Sequence, residues 1–265
     1  MKKILIVLAL VIVALLLSLP TILHKAGLHP QYSGETYTLP QKRALVITTS
    51  HALLAAPGEA EGDLTGVMAS EMTHPYYTFL DGGMDVDVVS IKGGAIPVDP
   101  QTLQYMIKSP EDERFLNDAV LQAKDQNSIA IADVDINQYD LVFVSGGWDA
   151  AYDLAQSPEL AEKISQAYYN PKKPVLGAIC HGVLGFVNAK DNDGGLLILG
   201  RSMTGVSDKQ VKELAIEITP LHPETELRNA GAKFKSQTAF RDFFATHVVI
   251  DQEQCFVKGQ NQNSG

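Results

Sequence analysis

The run Pro174-Val175-Leu176-Gly177-Ala178-Ile179-Cys180-His181-Gly182-Val183-Leu184-Gly185-Phe186 decides how this chain folds. An apolar segment stops at Cys180, and small and apolar residues at helical spacing begin at once. The pattern reads as a buried parallel strand, a sharp turn and a helix packed close on glycines. At such an elbow, free backbone N–H groups and the helix dipole favour an anion. A thiol there is expected to ionise below its free pKa of about 8.5. The competing reading is an inert buried cysteine, because free Cys is among the most buried residue types. The Gly-flanked turn and the adjacent His181 favour the reactive thiol.

Working outward, similar apolar runs recur at residues 43–50, 84–91, 140–147, 195–203 and 245–258. Between them lie helical patterns at about 70–80, 115–124, 158–169, 182–189 and 208–217. Pro158 after Ser157 and the capping-box-like Ser207-x-x-Gln210 mark helix starts. Strands alternating with helices imply βαβ units, hence an α/β domain with a mainly parallel sheet covered on both faces. Ligands of such sheets bind at the carboxyl ends of the strands. Ser50, Gly147 and Cys180 are therefore expected on one rim.

The 265 residues, 45% of them hydrophobic, suit one globular domain plus an appendage. A formal charge of −10 excludes a nucleic-acid partner, which demands a basic surface. Two cysteines cannot build a disulfide framework, and no Cys/His spacing suggests a zinc site. The appendage is N-terminal: Lys2 and Lys3 precede an apolar segment, Ile4 to Leu23, of 20 residues. That is about the length needed to span a bilayer as a helix. No small-x-small cleavage site follows, so residues 1–25 read as an uncleaved signal anchor, with a cleaved signal peptide as runner-up. The leading lysines place this end in the cytoplasm and the domain outside, while His24 and Lys25 on the far side oppose that bias. Residues 26–42 read as a tether and residues 43–265 as the domain.

His181 could stabilise the Cys180 thiolate or move protons near neutral pH, or simply follow the elbow into solvent. Gly146-Gly147 ends a strand with N–H groups free to form an oxyanion hole, although a bare Gly-Gly pair is more often only a turn. Glu71 enters the first helix of the domain. It is either an exposed first-turn acid complementing the helix dipole or a carboxyl held neutral beside the thiol.

Ala178-Ile179-Cys180-His181-Gly182, Ser70-Glu71-x-x-x-Pro75 and Gly93-Gly94-x-x-Pro97-x-Asp99-Pro100 resemble the ThiJ/PfpI superfamily. Tyr139 to Gly147 and Gly259-Gln260-Asn261 are similar to its heat-shock glyoxalase III and deglycase branch, within the class I glutamine amidotransferase-like fold. The resemblance runs from about Ala44 onward. It implies a flavodoxin-like three-layer sandwich, with Cys180 as nucleophile, His181 as its histidine, Glu71 as the acid touching the thiol and Glu224 as the third triad member. It implies catalysis without a cofactor or metal, on a small reactive carbonyl such as methylglyoxal. Gly147 and Trp148 would line the oxyanion side, and a homodimer is left open. Where the family usually carries Gly-Gly-His-Gly, this chain has Gly146-Gly147-Trp148-Asp149, which predicts a bulkier and more acidic pocket mouth. Two other readings compete with the glyoxalase. His222-Pro223-Glu224 has the His-x-Glu form of glutaminase triads, and Cys180 could serve a non-enzymatic redox sensor or holdase.

Overall fold

The computed structural model describes residues 2–264. Its centre is a seven-stranded sheet. The strands are β1 (Arg43–Thr48), β2 (Asp85–Ser90), β3 (Ile129–Ala130), β4 (Leu141–Val144), β5 (Val175–Ile179), β6 (Val248–Ile250) and β7 (Phe256–Gly259). They lie in the order β6-β7-β5-β4-β1-β2-β3, and every pairing is parallel except the β6–β7 hairpin. β1 shows why the strands are uniformly apolar. Leu45 and Ile47 enter one core, Ala44 and Val46 the other, so alternate side chains serve opposite faces.

One face is covered by α2 (Ala69–Asp81), α3 (Pro110–Asn117) and α4 (Ala119–Gln126), through Met72, Tyr76, Phe115 and Leu121. The other is covered by α5 (Pro158–Tyr169), through Leu160, Ile164 and Ala167, and by α7 (Pro223–Asn229), through Leu227. A short helix, α6 (Asp208–Glu213), lies before α7 and starts on the predicted cap, with Gln210 N donating to Ser207 Oγ at 3.1 Å. The flavodoxin-like sandwich is the architecture found.

Several elements differ from expectation. Residues 245–258 form a hairpin, because Asp251 Oδ1 accepts the N–H groups of Cys255 and Phe256, both at 2.8 Å, and turns the chain back. Cys255, expected inside a buried strand, is half-buried at the end of that turn. Only Ser202–Met203 of the run 195–203 is extended, and it pairs with Lys233–Phe234 outside the main sheet. The helix expected over 115–124 is two helices, broken at Asp118, whose carboxylate caps the second. The pattern at 182–189 is a 3-10 stretch, Cys180–Phe186, and α6 stops at Glu213 before the positive φ of Ala215.

The N-terminal helix α1 (Lys2–Lys25) carries a long apolar run between Lys2–Lys3 and His24–Lys25 and buries none of its spanning window. The segment after it is not wholly free. Leu28 and His29 are buried on the domain, with His29 N donating to Asn263 Oδ1 and the His29 ring paired with Ile107 O, both at 2.8 Å.

Candidate active site

Cys180 leaves β5 with φ at +58°, a left-handed conformation that costs a non-glycine residue and concentrates at functional sites. The turn aims the thiol at the ends of β4 and β5, and Gly182 permits it. A Cβ on Gly182 would come within 2.3 Å of Val144 O. The residue is only 6% exposed. Burial, and then the neighbouring Glu71 carboxylate, push the thiol well above its ordinary pKa, while the N–H groups of His181 and Gly147 pull the other way. The expectation of a readily ionised thiol is therefore corrected. The elbow enters a buried 3-10 stretch rather than a surface α-helix, and two backbone N–H groups do not repay the lost hydration.

Glu71 reaches the same spot from the first turn of α2 and is 1% exposed. Neither of its oxygens makes a hydrogen bond of good geometry. Oε2 lies over Gly146, where a Cβ would approach to 2.5 Å. Burial raises the carboxyl to about 8, against the weaker pull of Cys180 and the Gly146 N–H. The acid is therefore protonated at neutral pH, as the second of its two sequence readings required.

What fastens Glu71 is a feature that the sequence reading passed over. Pro75 sits inside α2 and has no N–H, so the carbonyl four residues back, that of Glu71, loses its helical partner. Ser145 Oγ, at the end of β4, donates to that carbonyl at 2.8 Å. A proline inside a helical pattern was the available signal, and a polar residue closing a buried strand was the second.

Gly147 adopts φ +122°, and a Cβ there would lie 2.5 Å from Gly66 O and 2.7 Å from Met68 N. Only glycine fits. Trp148 packs beside Ile179 and Cys180 and lines the cavity at the thiol. Asp149 does not. It is fully buried, with Oδ1 accepting the N–H of Ala150 at 3.0 Å, and burial and Asp153 hold it well above the carboxylate range. Trp148 thus adds its bulk to the cavity wall, whereas Asp149 adds no charge to it.

His181 Nδ1 lies 3.5 Å from Cys180 Sγ. Burial and the nearby His222 lower its pKa to about 3, so the ring is neutral. Its Nε2 has no hydrogen-bond partner among the described residues. Glu224, the expected third member, makes no hydrogen bond to His181 among the described residues: it accepts from Asp208 N at 2.9 Å and pairs with Arg228 at 2.7 Å. The structure brings Cys180, His181, Glu71, Gly147 and Trp148 together, whereas Glu224 neither lines the cavity nor bonds to His181. Ser50 closes β1, but its N–H is taken by Asp153 Oδ2 at 2.7 Å and it does not line the cavity. Among the described residues, no three His, Cys, Asp or Glu side chains gather as a metal site needs.

The cavity at the thiol is about 330 Å³ and is completed by residues from distant loops, including Ile107, Leu214, Arg241 and Phe243. No local pattern announced these. A model of the DJ-1/PfpI family matches residues 64–251, a span from just before Glu71 to the hairpin. The chain belongs to the DJ-1/PfpI family. Within it, the chain is 28% identical over 245 residues to the "Probable glutathione-independent glyoxalase hsp3103" of Schizosaccharomyces pombe, covering 78% of this chain and 89% of that protein. It is 28% identical over 185 residues to the "Glutathione-independent glyoxalase HSP31" of Saccharomyces cerevisiae, covering 64% of this chain and 70% of the relative. The solved structure of the Rapid Encystment Protein 24 kDa of Francisella tularensis superposes with a TM-score of 0.76 at 33% identity, over 84% of this chain and 94% of that one.

Proposed function

We propose that this DJ-1/PfpI chain is a glutathione-independent glyoxalase converting 2-oxoaldehydes such as methylglyoxal to 2-hydroxy acids. The observation that carries the reading is the buried Cys180 thiol, flanked by a neutral imidazole and by a carboxyl that is protonated at pH 7. The relatives' names point the same way.

In this reading the sulfur of Cys180 attacks the aldehyde carbon as His181 takes the thiol proton, and Glu71 protonates the aldehyde oxygen. A C–S bond forms and a hemithioacetal results. No free thiol cofactor is needed because the protein supplies its own. The Glu71 carboxylate so formed removes the hydrogen from C1, and His181 returns its proton to the neighbouring oxygen, giving an enediol. Glu71 then protonates C2 while His181 takes the proton of the C1 hydroxyl, and a thioester remains; the protonated His181 is then ready to protonate the departing sulfur. Water cleaves the C–S bond, releasing the hydroxy acid and the thiol. The Gly147 N–H would hold the negative oxygen as sulfur adds. Deglycation of amine adducts is the same thiol chemistry on another carbonyl derivative.

A largely buried thiol whose pKa is raised is a poor oxidant sensor, which disfavours the sensor reading. The glutaminase reading loses its acid to Arg228. The test is the purified protein with methylglyoxal and no glutathione, with lactate followed over time. Absence of lactate would reject the proposal.

We also infer that α1 anchors the protein in a membrane with the domain on the outer side. Its support is a 24-residue helix that is apolar enough to cross and has none of its spanning window buried in the domain. Protease added to intact cells or spheroplasts should trim full-length protein in the membrane pellet. A soluble form starting near His24 would mean a cleaved signal.

A further inference from the structure

We infer that the Cys180 cavity is built for 2-oxoaldehydes larger than methylglyoxal that carry an anionic group at the far end, with Arg241 as the residue that receives it. The first observation is size. Methylglyoxal is the size of a few water molecules, at ~30 Å³ of liquid each, and it would leave most of a 330 Å³ cavity empty. The second is the lining. Trp148, Ile107, Val206, Leu214 and Phe243 give the space beyond the thiol an apolar wall, which a bare methyl does not use but an aryl or alkyl arm does.

The third observation is charge. Arg241 lines this cavity from an exposed position, and its guanidinium makes no hydrogen bond or ion pair with any described residue. The carboxyl that shares the lining, Asp99, is turned into its own loop. Its Oδ1 accepts Gln101 N at 2.8 Å, and its Oδ2 faces the Thr65 hydroxyl at 3.4 Å. The arginine is thus an uncommitted cation over a cavity with the nucleophile in its wall. Guanidinium matches carboxylate and phosphate in a two-pronged geometry. The ligand class is a carboxylate- or phosphate-bearing oxoaldehyde, its dicarbonyl at Cys180 and its anion at Arg241. The oxoaldehyde part rests on the glyoxalase reading, whereas capture of an anion beside the thiol does not.

Two measurements on the full-length protein separate these. Alkylation of Cys180 by iodoacetate, relative to neutral iodoacetamide of nearly the same shape, reads anion recruitment without any turnover. The iodoacetate-to-iodoacetamide rate ratio should fall about fivefold in Arg241→Gln, the upper range for an exposed charge pair, and should be largely kept in Arg241→Lys. Raising the salt should erode the wild-type ratio. In parallel, kcat/KM for 4-carboxyphenylglyoxal over phenylglyoxal should drop by a similar factor in Arg241→Gln. An alkylation ratio that is the same in wild type and Arg241→Gln, or equally low in Arg241→Lys, overturns the anion site. A ratio that falls as stated in protein that turns over neither glyoxal keeps the anion site and rejects the glyoxalase reading.

Discussion

Ser145 Oγ donates a 2.8 Å hydrogen bond to the Glu71 carbonyl, the one acceptor in α2 that Pro75 has deprived of its helical partner. The acid that touches the thiol is thereby tied to the strand end that presents Gly146 and Gly147. Three residues from two elements form one device. Ser145→Ala leaves a buried carbonyl unpaired and should cost about 1–3 kcal/mol. In a Pro75→Ala background the helix can pair that carbonyl itself, and the same Ser145→Ala should cost clearly less. Urea unfolding of the four proteins in the cycle measures the difference, and equal costs in both backgrounds would sink the relationship.

Glu71→Gln preserves shape but cannot carry a proton. Oxoaldehyde turnover should drop by about 10²–10⁴-fold, the range for an acid–base group. Stability carries a second signature. A carboxyl moved from 4.5 to about 8 by burial binds its proton more tightly when folded. Its contribution is fully present below 4.5 and is lost as pH rises toward 8, at about 1.4 kcal/mol per pH unit. The stability of wild type minus that of Glu71→Gln should therefore decline across that window. A flat difference would mean that Glu71 is already ionised in the folded protein.

Cys180 should alkylate slowly in the wild type, because burial and Glu71 both oppose its thiolate. Glu71→Gln removes the carboxylate and should move the pH profile of Cys180 alkylation down by about one unit or more. Half-buried Cys255 lies at the hairpin turn and supplies an internal control whose profile stays put. Mass spectrometry of the two peptides reads both thiols. An unmoved Cys180 profile would show that the carboxyl does not act on the sulfur.

His181→Ala should abolish most turnover, whereas His222→Ala should leave it within about tenfold, since only His181 lies at the thiol. Because His181 is held at about 3, the acid limb of kcat/KM should show no titration near 6.5 that belongs to this ring. Loss of activity in His222→Ala alone, with ammonia released from glutamine, would favour the amidotransferase reading instead.

His29 pins the chain below α1 to the domain, and burial and then His74 lower its pKa to about 4. A histidine whose folded pKa is depressed stabilises above its unfolded value of 6.5 and loses that contribution as pH falls toward 4. The thermal shift between wild type and His29→Ala should be a few degrees at pH 7.5 and should shrink below pH 6.5. A constant shift would mean that His29 only fills space.

The alternation of strands and helices, the elbow at Cys180 and the pairing of Cys180 with His181 were legible in the sequence. So were the Glu71 motif and the apolar α1. Each is written in a few consecutive residues, where side-chain periodicity follows directly from backbone geometry. The tertiary structure alone decided the rest. Glu224 looked like a triad acid by its neighbours in sequence, but Arg228 and the Asp208 N–H claim it. Asp149 looked like part of the mouth and lies beneath it. Cys180 looked like an easily ionised thiol because its local N–H groups are visible in the sequence. The desolvation that outweighs them is summed over atoms from α2, β4 and the 3-10 stretch. Arg241 joins the cavity across 61 residues from Cys180. Burial and proximity are properties of the assembled fold, so pKa direction and site membership are decided there.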